Sequence, residues 1–419
     1  MTRLQRVEYL NKKDLLTPDQ AKLLQNSTAG YIHDINDSCS ENVIGAWPFP
    51  FSVVQDFPLA WGRCCLPMVI EETSVVAAMN KSAKYLREQG RVKSKVTGKG
   101  LWGQLLYFSV PAHNIREYLQ QHKVSLISFL QSGVASRMAS RGGGVLDIRL
   151  REIKGVDSAA SHPSYSIDYL VDSVDALGAN FINQVGHVLS QKLALQWGVE
   201  ADVIILSNHQ PHFFAQVQVV LYDFPEQLGV KIAQLSTYAM YDIYRAVTHN
   251  KGIMNGVDAV LLATGNDWRA QSAAVGAYAS QDGAYKPLSS WVYNSGELQG
   301  QLSLPIACAT VGGVVSTHPL ANLALAMLGN PSKHELMQIV AQAGLLQNLS
   351  ALRALVGEGI NAGHMRLHIQ NFIVNASIPE QYRQQVTQLS EDFLRAHGRI
   401  SPEDVLTIFR KIVKEKIRF

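Results

Sequence analysis

The chain has 419 residues, 47% hydrophobic and 17% charged, with a formal net charge of +3. It is long enough for two or three domains around a generous core, and its charge is too mild to point to nucleic acid. Its four cysteines include the adjacent Cys64 and Cys65 and form no CxxC, which argues against both a disulfide framework and zinc; a reducing, cytoplasmic interior is the default. The N-terminal MTRLQRVEYLNKKDLL lacks the apolar segment of a signal peptide. No uninterrupted apolar run nears the ~18 residues of a membrane span, so no membrane is expected.

In chain order, residues 17–26 read as a helix with Thr17 as N-cap and Pro18 at its first position. Ser74 opens a second helix, stopped by Gly90. GRVKSKVTGKG (90–100), basic and glycine-bearing, reads as a connector or hinge. Seven basic residues lie between Lys81 and Lys99 against one acid, Glu88. That is most simply a solvated face, with a landing patch for ligand phosphates as the sharper alternative. From 101 to 206 strand-like and helical stretches alternate. LWGQLLYFSV, VLDIRLREI, YSIDYLVDSV and ADVIILS have strand composition, and residues 114–138 and 178–198 are helical. This suggests a small α/β sandwich inserted between the halves of a larger domain. QVQVVLYDF (216–224) resumes strand character.

RAVTHNKGIMNG (245–256) frames Lys251 with His249, Asn250 and two glycines. It is polar, with few apolar residues, and reads as a fixed loop that aims an ammonium group. From 267 onward helices dominate. The first, WRAQSAAVGAYAS, is rich in small residues, as a buried central helix would be. STHPLANLALAMLG follows, with a cap at Ser316 or Thr317 and Pro319 near its first position. Ser332 to Glu335 form a capping box, and two helices, 379–397 and 402–417, close the chain.

Four segments combine an ionisable residue with a glycine or a helix start: EETS (71–74), THNKG (248–252), ATGNDWRA (263–270) and GHMRLH (363–368). Each has a plain alternative. Glu71 and Glu72 can serve a helix N-terminus, Asp267 can be an N-cap, and a lone lysine in a polar loop is usually a surface residue. His364 and His368 share a helix face at i, i+4, but Met365 stands where HExxH needs glutamate, so no metal is assigned; His364 suits a proton donor better. No GxGxxG follows a strand, which removes the Rossmann fingerprint. DALGAN (175–180) follows a strand and opens a helix, a place where backbone and helix N-terminus can receive a phosphate.

Together the blocks ENVIG (41–45), EETSVVAA (71–78), DALGAN, RAVTHNKGIMNG, ATGNDWRA, THPLA (317–321) and EGINAGHMRLH (358–368) resemble the soluble, bacterial-type (class II) 3-hydroxy-3-methylglutaryl-CoA (HMG-CoA) reductases. The resemblance covers most of the chain, roughly 41 to 368, and matches the first forty and last fifty residues poorly. It implies an α+β fold: a large helix-rich mixed domain (1–98 and 207–358), an inserted ferredoxin-like NAD(P)-binding domain (99–206) and a helical C-terminal flap (359–419). It also implies a homodimer, or a higher oligomer of dimers, with sites at the subunit interface. The implied reaction converts HMG-CoA to mevalonate and CoA with two hydrides. Lys251 would stabilise the carbonyl oxygen, Glu72 would supply a proton, His364 on the flap would protonate the CoA thiolate, and Asp267 would hold lysine and glutamate in working protonation states. Ser74, Asn208, Arg245 and Asn255 match substrate-binding positions, and Asp175, Leu177, Gly178 and Asn180 cofactor-binding ones.

Two departures stand out. Thr73 occupies a position that is often proline in the family. In the stretch 132–144 the carboxylate of NADH-using members is replaced, in an ungapped alignment, by Ala135, with Arg137 and Arg141 close by. Arginine welcomes a ribose 2′-phosphate, so NADPH is the expected cofactor, with NADH as the alternative. Rival readings are a reductase of the same fold running mevalonate oxidation or acting on another acyl-CoA, and a non-catalytic CoA- or nucleotide-binding relative.

Overall fold

A computed structural model describes residues 3–13, 15–26, 42, 47–108, 115–153, 164–357 and 369–417. Short helices α1 (Arg3–Lys12) and α2 (Pro18–Asn26) lead into the hairpin β1 (Phe51–Leu59) and β2 (Gly62–Val69). Thr17 caps α2 as expected, in reciprocal hydrogen bonds with Gln20. Helix α3 (Val75–Gln89) then runs directly into strand β3 (Gly90–Thr97). The expected hinge at 90–100 is therefore mostly a strand. Its alternation puts Arg91, Lys93 and Lys95 on the exposed side and Val92, Ser94 and Val96 inward, so the basic residues are one face of a sheet.

Strand β3 pairs along its whole length with β8 (Phe214–Leu221), from Gly90 opposite Leu221 to Thr97 opposite Phe214. Residues 98–213 thus leave and return between two neighbouring strands of one sheet. That sheet has the order β3-β8-β10-β9, completed by the hairpin β9 (Ser289–Asn294) and β10 (Glu297–Pro305). Its turn places Ser295 and Gly296 at φ 49° and 88°, the left-handed pair that a two-residue hairpin requires. The hairpin interrupts the helical run expected after 267.

The intervening segment contains β4 (Leu101–Tyr107), α4 (Ile115–Ser132), α5 (Ser136–Ala139), β5 (Gly144–Ile153), β6 (Ser164–Asp172), α6 (Ala179–Trp197) and β7 (Val203–Leu206). Its four strands form an antiparallel sheet of order β5-β6-β4-β7. On β6, Tyr165, Ile167, Tyr169 and Val171 all belong to the main core cluster, while the alternate residues Ser166 and Asp168 bond polar partners. The fully buried Asp168 takes hydrogen bonds from Arg149 at 3.0 Å and Arg151 at 2.9 Å.

Helices α7 (Glu226–Tyr241), α8 (Ile243–Ala263), α9 (Trp268–Ala279), α10 (Gly313–Thr317), α11 (Pro319–Met327) and α12 (Lys333–Val356) complete the larger part. The central buried helix is α12, not α9. Apolar on nearly all sides, α12 is buried along most of its length, whereas α9 buries only Gln271, Ala274, Val275 and Ala279. Among the described residues α12 alone is long and apolar enough to cross a membrane, and it is the core helix. Its capping box at Ser332 and Glu335 is formed as expected. Helix α11 is capped at position His318, without a side-chain bond, rather than by Ser316 or Thr317. Helices α13 (Glu380–His397) and α14 (Pro402–Ile417) share a small separate core with Ile369, Ile373 and Ile378.

Candidate active site

Residues 245–256 are not a loop: all of them lie in α8, which is capped by the Asp242 carboxylate receiving the N–H groups of Tyr244 and Arg245. Two of its polar side chains, Asn250 and His249, bond partners inside the fold. Asn250 donates to Lys286 O and accepts from Leu288 N, each at 2.9 Å. Ser289 gives its single proton to Asn348 Oδ1 at 2.9 Å, so His249 Nε2, 2.7 Å from Ser289 Oγ, is the donor of that pair. Burial, then the nearby Arg245, pull the His249 pKa down to about 4, so it is a neutral structural imidazole at physiological pH. The glycines serve packing. A Cβ on Gly256 would stand 2.6 Å from Ala343 O of α12, while one on Gly252 would come no closer than 3.3 Å, to Ala351 Cβ.

With that face locked against α12, Lys251 points away from it. Its Nζ meets Glu72 Oε2 at 2.6 Å, across 179 residues of sequence. Glu72 lies in the turn between β2 and α3, just before Ser74, which holds φ 72° and makes no capping bond. The expected Ser74 cap is therefore absent. The side chains of Lys251 and Glu72 are 58% and 37% exposed. A pair that open contributes little to stability. Asn255 follows Lys251 by one turn on the same face. Arg245 is half-buried in the first turn of α8, and its Nε is buried with no hydrogen-bond partner among the described residues. Burial lowers its pKa. Asn208 is exposed just beyond β7.

Asp267 takes its plain role. It caps α9 by accepting from Arg269 N and Ala270 N, both at 3.1 Å, and pairs with the Arg269 side chain at 3.3 Å. Among the described residues it makes no ion pair with Lys251. Its neighbour Asn266 locates the site further: Asn266 Oδ1 accepts from Ala309 N at 2.7 Å, and its amide donates to Ala309 O at 3.2 Å. The next residue, Thr310, donates its N–H to Asp175 O at 2.9 Å, and Val311 bridges Ala176. Segment 306–311 thus stitches the ATGNDWRA block to the DALGAN loop through successive residues. Sequence reasoning missed it; its signal is the small-residue run IACATVGG (306–313) leaving a strand.

The loop is tightly made. Ser173 Oγ bonds the carbonyls of Ala176 and Leu177 at 2.7 and 2.9 Å. Gly178 holds φ 83°, and a Cβ there would sit 2.4 Å from that of Ser173; Ala179 then begins α6, leaving free N–H groups at its start. Asn180 is exposed in the first turn. Arg141 reaches Asp175 at 3.8 Å, and Arg137 is exposed on α5. Ala135 is fully buried, so the ungapped alignment puts the ribose-facing position inside the core, whereas Arg137 and Arg141 are exposed. His364, with ENVIG apart from Asn42, lies outside the described residues.

The family profile described as hydroxymethylglutaryl-coenzyme A reductase matches residues 2–369. The chain belongs to this reductase family. An Archaeoglobus fulgidus 3-hydroxy-3-methylglutaryl-coenzyme A reductase is 34% identical over 348 residues, spanning 82% of this chain and 78% of that protein. The class II reductase of Streptococcus pneumoniae bound to NADPH in open conformations superposes with TM-score 0.79 at 34% identity, over 85% of this chain and 98% of that one. A further structure of the Streptococcus pneumoniae enzyme reaches TM-score 0.80 over 98% of both chains at 31% identity. The reductase family thus accounts for the mixed helix-and-sheet fold and for the oxidoreductase class of the chain.

Proposed function

We propose that the chain is an NADPH-preferring HMG-CoA reductase that converts the thioester to mevalonate and CoA. The observation that carries this is the Glu72–Lys251 contact at 2.6 Å. Thioester reduction places negative charge on the carbonyl oxygen and then needs a proton there. An ammonium touching a carboxyl group can serve both needs: Lys251 holds the oxyanion, and Glu72 is assigned to hand on the proton. The tetrahedral hemithioacetal then breaks its C–S bond, and the departing thiolate takes a proton, a role assigned to His364. The aldehyde left behind passes through the same contact a second time. Asn255 flanks Lys251, and Arg245, in the first turn of the same helix, is assigned to the substrate carboxylate; Ser74 and Asn208 are assigned to substrate as well.

Loop 175–180 fits a dinucleotide: Gly178 allows close approach, α6 opens at Ala179, and Arg137 and Arg141 flank it. NADPH bound there would supply one hydride for each of the two reductions, two molecules being used per thioester. Asp267 is placed in the reading as a positioning carboxylate, supported by its neighbour Asn266, which bonds Ala309, the residue before the Thr310 that bonds Asp175. The four-stranded order β5-β6-β4-β7 between β3 and β8 supports a ferredoxin-like nucleotide domain over 99–206. The separate core of residues 369–412 supports a C-terminal flap unit. Tyr238, Tyr241 and Tyr244, 62%, 88% and 84% exposed, support burial against a second copy in a cytoplasmic dimer. The test is HMG-CoA-dependent oxidation of NADPH and of NADH, followed by product identification. Mevalonate formed with the lower KM for NADPH supports the reading; oxidation with another acyl-CoA only, or none, refutes it.

A further inference from the structure

Lys333 is the first residue of α12 and is 4% exposed. An ammonium taken from water is costly unless it is paired. Burial pulls the Lys333 pKa down, and Asp172, Cys308 and Asp175 pull it back up. Its Nζ donates to Ala176 O at 3.2 Å and stands 5.7 Å from the centre of the Phe213 ring. The side chain thus runs from the core helix into the loop 175–180.

That loop is strained just before its contact with Lys333. Val174 holds φ 55°, a left-handed conformation that a β-branched residue rarely takes. Asp172 Oδ1 accepts from Val174 N at 2.9 Å and secures one side. Strained backbone persists only where its surroundings over-determine it. Segment 306–311 supplies part of the restraint through Thr310 and Val311. Ser173 Oγ holds the carbonyls of Ala176 and Leu177, and Lys333 adds a restraint from the core helix, with a charge where an apolar side chain would fill the space at less desolvation cost.

We propose that Lys333 is a positioning residue for the nucleotide: the buried ammonium locks loop 174–178 in its receiving conformation, so the core helix sets cofactor affinity. The inference rests on reading that loop as the nucleotide site. It is tested with full-length K333M and K333Q by NADPH titration and by steady-state kinetics, with melting curves to verify folding. K333M is expected to raise KM and Kd for NADPH roughly tenfold, the loss of one charge-assisted hydrogen bond, and K333Q, which keeps a polar tip, about threefold. KM for HMG-CoA stays within about twofold in both. If K333M does not fold, K333Q carries the same comparison. An unchanged NADPH KM, or equal rises for both substrates, overturns the inference while a working wild type upholds the functional reading. A wild type that neither binds nor oxidises NADPH overturns both.

Discussion

Asp258 sits two turns beyond Lys251 on the same face of α8, and its Oδ1 is buried with no hydrogen-bond partner among the described residues. Burial alone pushes its pKa from 3.8 to about 7. Below the lower value the carboxyl is protonated in both folded and unfolded chains and contributes no difference. Between the two values the unfolded chain has lost the proton and the folded chain keeps it, so stability declines as pH rises and the full cost is present above about 7. Each tenfold rise in proton affinity is worth ~1.36 kcal/mol, so the climb from 3.8 to about 7 gives roughly 4 kcal/mol as the upper figure at pH 8.5. At pH 5 the unfolded carboxyl is only about one pH unit past its own pKa, so the cost falls to under ~2 kcal/mol. D258N removes the charge and keeps the size. Urea unfolding of wild type and D258N at both pH values measures the difference, and other titrating groups cancel in it. D258N should be the more stable at pH 8.5, by about 2 kcal/mol more than at pH 5. An equal difference at both pH values, or a variant that loses ground as pH rises, would show that the carboxylate is ionised and paired, and the reasoning would fail.

Two further outcomes follow from the packing of α8 and from the nucleotide loop. G256A forces a methyl to within 2.6 Å of Ala343 O and should lower stability by more than about 2 kcal/mol, whereas G252A, at 3.3 Å from Ala351 Cβ, should cost under about 1 kcal/mol; denaturation midpoints compare them, and equal losses would contradict the helix contact. R137E should raise KM for NADPH about tenfold and leave KM for NADH nearly unchanged; parallel changes would remove Arg137 from the 2′-phosphate.

Much of the site is legible as sequence blocks, and the departures have physical causes. RAVTHNKGIMNG reads as a loop because glycine and polar residues usually mark one. Here Gly256 marks a close helix crossing, and His249 and Asn250 are polar because they bond Ser289, Lys286 and Leu288 inside the fold. Only the tertiary partner reveals that. The strand at 90–97 has a readable pattern, since Arg91, Lys93 and Lys95 alternate with Val92, Ser94 and Val96, but basic composition masks the period of two. Asn294-Ser295-Gly296 carries a hairpin signal that the helical texture around it hides. The small residues of α9 suggest burial, yet small size serves close packing on one side as well, and the fully buried role falls to the longer and more apolar α12. The Asp267 cap is legible as one of two readings, and the fold realises that one. Segment 306–311 carries no ionisable group apart from a buried cysteine whose thiol burial pushes up to about 12, so nothing in its chemistry advertises the link it makes.

The most direct measurement is the turnover of K251M with HMG-CoA and NADPH, beside a melting curve for the variant. Lys251 is half exposed and packs no core, so folding should be unchanged. The account predicts kcat reduced by about a hundredfold to a thousandfold, the loss expected when a group stabilising the oxyanion is removed. A folded K251M that turns over within about tenfold of wild type would contradict it.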